Sequence, residues 1–206
     1  MIWYAAYGSN LNLDRFICYI EGGKPEFSKK EMTGCRDKTH QKDKRVFEDN
    51  YDLYFAKRSS LWGGGVCFIK EGNSKTLFKL YLISSDQFKD ILLQECSLNR
   101  MDKKIYLELD KKDHLFDDRS WYGKILFLKE YKGYPIYTIT APGDYSDELL
   151  NPNRYYVYHL IKGLYEIHDL TKEDIERYLI DKRGFDDMSE LTMAFEIYDD
   201  EKENFY

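Results

Sequence analysis

Tyr4-Ala5-Ala6-Tyr7-Gly8-Ser9-Asn10-Leu11 is the stretch whose reading decides the fold. The apolar run before it, Ile2-Trp3-Tyr4-Ala5-Ala6, predicts a strand that breaks at Gly8. The polar pair Ser9 and Asn10 follows. A run from Leu11 to Ile20 then sets Leu13, Phe16, Ile17 and Ile20 near helical spacing. Glycine reaches backbone angles closed to other residues and lets a ligand approach the main chain closely. Asn10 or Asn12 can cap the helix. A strand, a glycine turn and a helix start in succession leave backbone N–H groups converging on one spot, which suits a carboxylate or a developing oxyanion. The same succession is also an ordinary strand-to-helix connection in α/β proteins.

Outward from this stretch, strands and helices continue to the end of the chain. Residues 21–43 are polar, with Gly22-Gly23-Lys24-Pro25 as a turn, and read as a surface excursion or a loop over a site. Val46 to Ala56 is extended and aromatic-rich. Val66 to Ile69 reads as a short buried strand, separated by a turn at Gly72-Asn73 from another at Leu77 to Ile83. Ser84, Ser85 and Asp86 offer N-cap chemistry for a helix running to about Cys96. Ile105 to Leu109 alternates as a half-buried strand does, and Lys132-Gly133 joins two further strands as a hairpin. Helices follow Pro152 and Thr171, the second running to about Ile180. The acidic tail is expected to pack partly through Leu191, Met193, Phe195 and Ile197. The order of elements predicts a mixed α/β (α+β) fold with strands outnumbering helices. It fits one domain over residues 1–180 and a C-terminal extension over 181–206 that packs on it or trails from it.

A net charge of −6, from 31 basic and 37 acidic residues, argues against nucleic acid as the main partner. Cys18, Cys35, Cys67 and Cys96 form no Cys-x-x-Cys pair and have no histidine at zinc spacing. His40, His114, His159 and His168 show no zinc-binding pattern, and His159 reads as a packed or capped histidine. Gly63-Gly64-Gly65 lacks the spacing of a dinucleotide loop. No metal and no cofactor are expected. No segment approaches the ~20 apolar residues of a membrane span. The N-terminal run carries no basic region of a signal peptide, so a cytoplasmic setting is expected. No signal for an oligomeric state stands out.

Tyr7-Gly8-Ser9-Asn10-Leu11 at the end of a first strand resembles the opening motif of the gamma-glutamylcyclotransferase-like superfamily. Trp62-Gly63-Gly64-Gly65-Val66, the run from Tyr81 through Glu95, Trp121-Tyr122-Gly123 and Pro152-Asn153-Arg154-Tyr155 follow in the order of that family. The resemblance covers most of residues 1–180. It implies a small β-barrel with surrounding helices and a cofactor-free enzyme. Such an enzyme cyclises a small-molecule gamma-glutamyl amide to 5-oxoproline and releases an amine, an intramolecular reaction of acyltransferase or lyase type. It implies substrate binding by Tyr7, Gly8, Ser9, Asn10 and Leu11, and places a tyrosine, Tyr155 or its neighbour Tyr156, beside the catalytic group. The insert 22–44 and the tail after Ile180 have no counterpart in the family pattern.

Glu95 is the catalytic candidate. Its setting, Leu92-Leu93-Gln94-Glu95-Cys96, is unusually apolar. Burial raises a carboxyl's pKa and makes it a usable base near neutral pH, although an exposed glutamate at a helix end has the same sequence context. In the family, a glutamate late in this helix is the acid/base, and Glu95 matches it in order. The substrate carries its own nucleophile, so one carboxylate can perform both proton transfers. Two readings remain beside this one: a non-enzymatic small-ligand binding protein on the same scaffold, and a related lyase or amidotransferase acting on another amide.

Overall fold

Ile2–Ala6, every residue of it buried, forms the inner strand β1. The computed structural model describes residues 1–98, 107–168 and 170–204. Leu13–Glu21 is α1, Lys44–Ala56 is β2, Val66–Ile83 is β3 and Ser85–Glu95 is α2. The strands His114–Leu115 (β4), Lys124–Tyr131 (β5) and Tyr134–Thr140 (β6) follow, and then the helices Arg154–His168 (α3), Lys172–Ile180 (α4) and Met188–Asn204 (α5). The six strands form one mixed sheet in the order β2-β3-β1-β6-β5-β4. β1 runs antiparallel to β3 and parallel to β6. The fold class is α+β, as expected.

The period of two in β1 divides its side chains between two apolar cores. Trp3 and Ala5, with Tyr7 beyond the strand, join the core covered by α3, α4 and α5, while Ile2, Tyr4 and Ala6 join that covered by α1 and α2. Side chains of the loops set the helix starts. Asn12 caps α1 by accepting from the Asp14 amide at 2.9 Å, and Ser84 and Thr171 open α2 and α4 with reciprocal capping boxes. In α5, Leu191, Ala194, Phe195 and Tyr198 fall on one helical face and are buried in the first core. The tail therefore packs, and Ile197, partly buried, packs against the same core, whereas Met193 is not part of it.

Three sequence expectations are corrected. The sheet is open and not a closed barrel. The first half of β3 meets β6 through a side chain, Thr140 Oγ1, which accepts from the Ile69 amide at 3.1 Å and donates to the Ile69 carbonyl at 2.9 Å. Gly72-Asn73 is a bulge and not a turn. Asn50 pairs with Lys75 and Tyr51 with Glu71, so residues 72–74 bulge from a continuous β3, and the Ser74 amide donates to Asp52 at 3.0 Å. Of the strand expected over Ile105–Leu109, residues 105 and 106 lie outside the described residues, and 107–109 form no strand.

Candidate active site

Beyond β1 the chain makes a single 3₁₀ turn, Ser9–Leu11, before α1. Its carbonyls are drawn into the protein. Tyr81 Oη donates to the Asn10 carbonyl at 2.9 Å, and Lys79 Nζ donates to the Leu11 carbonyl at 3.0 Å. Lys79 is buried and also pairs with Glu166 at 2.5 Å. The first amides of such a turn, here Ser9 and Asn10, have no intrahelical acceptor. A Cβ at Gly8 would lie 2.9 Å from Tyr156 Oη and 3.5 Å from Cys67 Cβ, so the loop approaches α3 and β3 as only glycine allows.

The loop borders a cavity of about 480 Å³. Its buried floor includes Tyr4, Tyr7, Cys67 and Tyr156, and its rim includes the exposed residues Lys30, Arg58, Ser60 and Trp121. Four formal charges line it: Glu95, Arg15, Lys30 and Arg58. The tyrosines stay neutral, because burial pushes Tyr4, Tyr7, Tyr19 and Tyr156 above the ordinary phenol range. Burial also drives the thiols of Cys67 and Cys96 up to about 12 and about 11, so neither is a thiolate nucleophile near neutral pH.

Glu95, the last residue of α2, reaches the cavity beside the loop. Asn10 Nδ2 donates to its Oε1 at 3.1 Å and to Tyr4 Oη at 3.2 Å, and the Tyr19 hydroxyl bonds the same carboxylate. Burial raises the Glu95 carboxyl above its ordinary range, and Arg15, Tyr19 and Asn10 pull against that rise. Arg15 is 4% exposed. Its Nε donates to Ser9 Oγ at 2.7 Å, Nη2 reaches Tyr19 Oη at 3.5 Å, and the guanidinium lies 5.0 Å from the Trp62 ring centre. Among the described residues it has no ion pair with a carboxylate.

Of the expected substrate-binding residues, Tyr7, Gly8, Ser9 and Asn10 line the cavity with Glu95. Tyr7 donates its hydroxyl to the Ile139 carbonyl at 2.9 Å, which fixes its ring in the floor. Leu11 lies beneath the loop in the first core and does not line the cavity. Tyr155 is 39% exposed and stacks on Phe27, with ring centres 4.9 Å apart. Tyr156, one position on and about 100° around the helix, is the tyrosine that faces the site, and its hydroxyl accepts from the Cys67 amide at 3.1 Å. Sequence reasoning missed Arg15. The available signal was its place four residues before Tyr19 on a short amphipathic helix, which puts both on one face. His159 is packed, as read: it is 1% exposed and lies between Asn12, the Glu26 carbonyl and Trp62. Among the described residues no three His, Cys, Asp or Glu side chains form a metal-binding group, and no helix is long and apolar enough to cross a membrane.

No family model matches the chain. A solved structure named gamma-glutamyl cyclotransferase is similar over 85% of both chains, with a TM-score of 0.53 and 16% identity. A crystal structure of an uncharacterised protein from Homo sapiens is similar over 90% of this chain and 91% of its own, with a TM-score of 0.54 and 15% identity. The chain thus has the gamma-glutamyl cyclotransferase-like fold. A protein named histone deacetylase 5 from Arabidopsis thaliana is 35% identical over 198 residues, covering 86% of this chain and 30% of its own length. This chain therefore corresponds to less than a third of that longer protein.

Proposed function

We propose that this chain is a cofactor-free gamma-glutamylcyclotransferase-like enzyme of the cytoplasm, converting a small gamma-glutamyl amide to 5-oxoproline and a free amine. The observation that carries the reading is Glu95: a carboxyl of raised proton affinity, at the edge of an anion-compatible turn, bonded by a residue of that turn. In the scheme, the Glu95 carboxylate takes a proton from the substrate α-ammonium. The freed amine attacks the γ-carbonyl carbon and closes the five-membered ring. The amides of the Gly8–Asn10 turn offer donors to the developing oxyanion. The Glu95 carboxylic acid then protonates the leaving nitrogen as the C–N bond breaks, and the ring nitrogen, which still carries two hydrogens, gives its second proton by way of the restored carboxylate to the released amine, which departs as an ammonium and leaves Glu95 ionised. Intramolecular attack supplies much of the acceleration through effective molarities of roughly 10⁵ M or more. Tyr156, next to Gly8, walls the reacting end.

The test is 5-oxoproline release from a panel of gamma-glutamyl amines and dipeptides by wild type and Glu95→Gln. Release by wild type and a loss of about 10²–10⁴-fold in the variant supports the reading. Equal release by both removes Glu95 from the mechanism. A folded wild type that binds gamma-glutamyl compounds and releases nothing points to a non-enzymatic binding protein.

A further inference from the structure

Residues 24–31, within the 22–44 insert, form a loop closed at its neck. The Gly23 amide donates to the Met32 carbonyl at 3.0 Å, and the Met32 amide donates to the Gly23 carbonyl at 2.7 Å. Beyond the neck the chain is fixed to the body. The Gly34 amide donates to Gln94 Oε1 at 3.0 Å, the Cys35 amide donates to the Ile20 carbonyl at 2.9 Å, and Arg36 pairs with the buried Asp90 at 2.6 Å. The neck itself can turn: Gly23 has φ 103°, and nothing lies within 4 Å of the place a Cβ would take. Lys30 of the loop and Met32 at its neck line the cavity.

The far end of the loop is held by α3. The Phe27 ring stacks on Tyr155 and meets Tyr158 edge-on, with ring centres 5.2 Å apart in the second pair. The Glu26 carbonyl accepts from His159 Nε2, and the Glu26 carboxylate accepts from the Tyr158 hydroxyl at 2.8 Å. Phe27 holds this place with φ 54°, a left-handed backbone that costs free energy in any residue with a Cβ, so opening relieves strain. The Tyr158 hydroxyl also has a second acceptor. Glu201 of α5 contacts it through Oε2, and Lys162 binds Glu201 at 2.6 Å and Asp14 at 3.2 Å. Burial first, and then the two carboxylates, hold the phenol above its ordinary range, so it stays protonated. One hydroxyl carries one proton. It donates to Glu26 or to Glu201 and not to both at once, and the two like charges repel. Lys162, the cation beside them, is engaged by Glu201 and Asp14. Each contact of Glu201 here weakens the hold on Glu26.

We propose that residues 24–31 are a flap over the cavity, hinged at Gly23 and Met32 and latched to Tyr158, and that α5 sets the strength of the latch by competing through Glu201 for the Tyr158 hydroxyl proton. The tail helix is then a regulator of access. Docked on α3, it keeps the latch weak enough to open, and displaced from α3 it leaves the flap shut more firmly.

The test is cysteine trapping. Ser28 is 4% exposed in the latched flap, so Ser28→Cys reports opening through its rate of alkylation by iodoacetamide, located by peptide mass. Cys96 in the cavity wall reports access, and Cys35, buried and not part of the cavity lining, reports general loosening. In the Ser28→Cys background, Tyr158→Phe should speed labelling at position 28 by about 10-fold, with Cys96 following, and Glu201→Gln should slow both by about 3-fold. Cys35 should not change. Equal labelling of position 28 in the three proteins removes the latch. Faster labelling in Glu201→Gln makes α5 a support for the flap and overturns the competition. A change at position 28 without one at Cys96, or a matching rise at Cys35, overturns the flap as a gate. If circular dichroism shows Tyr158→Phe unfolded, Glu201→Gln decides alone. The labelling needs no turnover, so its result is independent of the proposed reaction.

Discussion

Acidification should loosen the wall of the site through His159. The ring is almost fully buried, its Nε2–H donates to the Glu26 carbonyl at 3.0 Å, and its Nδ1 accepts from Asn12 Nδ2 at 2.9 Å. The carbonyl can only accept, which sets the tautomer. Asn12 cannot turn over to receive a second proton, because its Oδ1 caps α1. Burial, with the Arg15 charge next, holds the imidazole down at about 3 against 6.5. The unfolded chain therefore binds a proton that the native chain refuses, so this stability is present above about pH 6.5 and is lost as pH falls toward 3. At pH 5, about 1.5 units below the free value and at about 1.4 kcal/mol per unit, the loss relative to pH 8 is about 2 kcal/mol. Urea unfolding of wild type and His159→Gln at pH 8 and pH 5 measures it. All other ionisable groups are common to both proteins and cancel in the difference. Wild type should lose about 2 kcal/mol more than the variant. Equal losses would refute the account of a histidine held neutral by burial and the Arg15 charge.

Glu95→Gln should melt at or above wild type at pH 8, because burial disfavours the charged carboxylate. Stability favoured by a raised carboxyl is lost as pH rises through the native value, so the gap should close below pH 4.5 in calorimetric scans. Gly8→Ala drives a methyl against Tyr156 Oη and strains the bond from the Cys67 amide, at a cost of about 1–3 kcal/mol in denaturant unfolding and with a marked loss of turnover; wild-type activity in that variant would rule out close approach at Gly8. Lys79→Met removes a buried donor from the Leu11 carbonyl and the cation from Glu166, which is only partly buried, so about 2 kcal/mol of stability should go. An unchanged urea midpoint would show that Tyr81 alone holds the loop. Lys30 and Arg58 on the rim have no carboxylate partner among the described residues, so gamma-glutamyl amides with an acidic amine half should react faster than those with a cationic one. Added salt should erase the preference, and a salt-independent ranking would remove the rim charges from specificity.

The central strand, the capped helices and the hairpin were legible because each rests on local chemistry: an apolar run, a Ser or Thr with its partner three residues on, a Lys-Gly pair with positive φ at both residues. The open sheet was not legible. Closure depends on whether β3 and β6 pair through backbone or through the Thr140 side chain, and that is a long-range choice. The bulge at 72–74 looked like a turn because Gly72-Asn73 carries turn chemistry, while its partner Asp52 lies twenty residues earlier in the sequence. Glu95 and the Gly8 loop could be nominated from order along the chain. The choice of Tyr156 over Tyr155 needed the phase of α3, which a one-residue ambiguity at Pro152-Asn153 conceals. Arg15 was not singled out, because nothing local shows that Ser9, Tyr19 and Trp62 close around it.

The charge arrangement couples Arg15 to the base. In the free cavity Arg15 is the largest influence lowering the Glu95 carboxyl against burial. A substrate carboxylate brought near Arg15 would offset that charge, which favours the protonated form of Glu95. The arriving ammonium works in the other direction until it gives up its proton, after which only the raised affinity remains. Glu95 would then hold the proton more firmly once the amine is neutral, which keeps the nucleophile free for the ring-closing step. The consequence is visible in pH–rate profiles. The acid limb of kcat/KM reports Glu95 in the free enzyme, and in Arg15→Met it should lie higher, because the lowering charge is gone before substrate binds. An acid limb that stays in place in Arg15→Met would mean that Arg15 does not govern the proton affinity of Glu95.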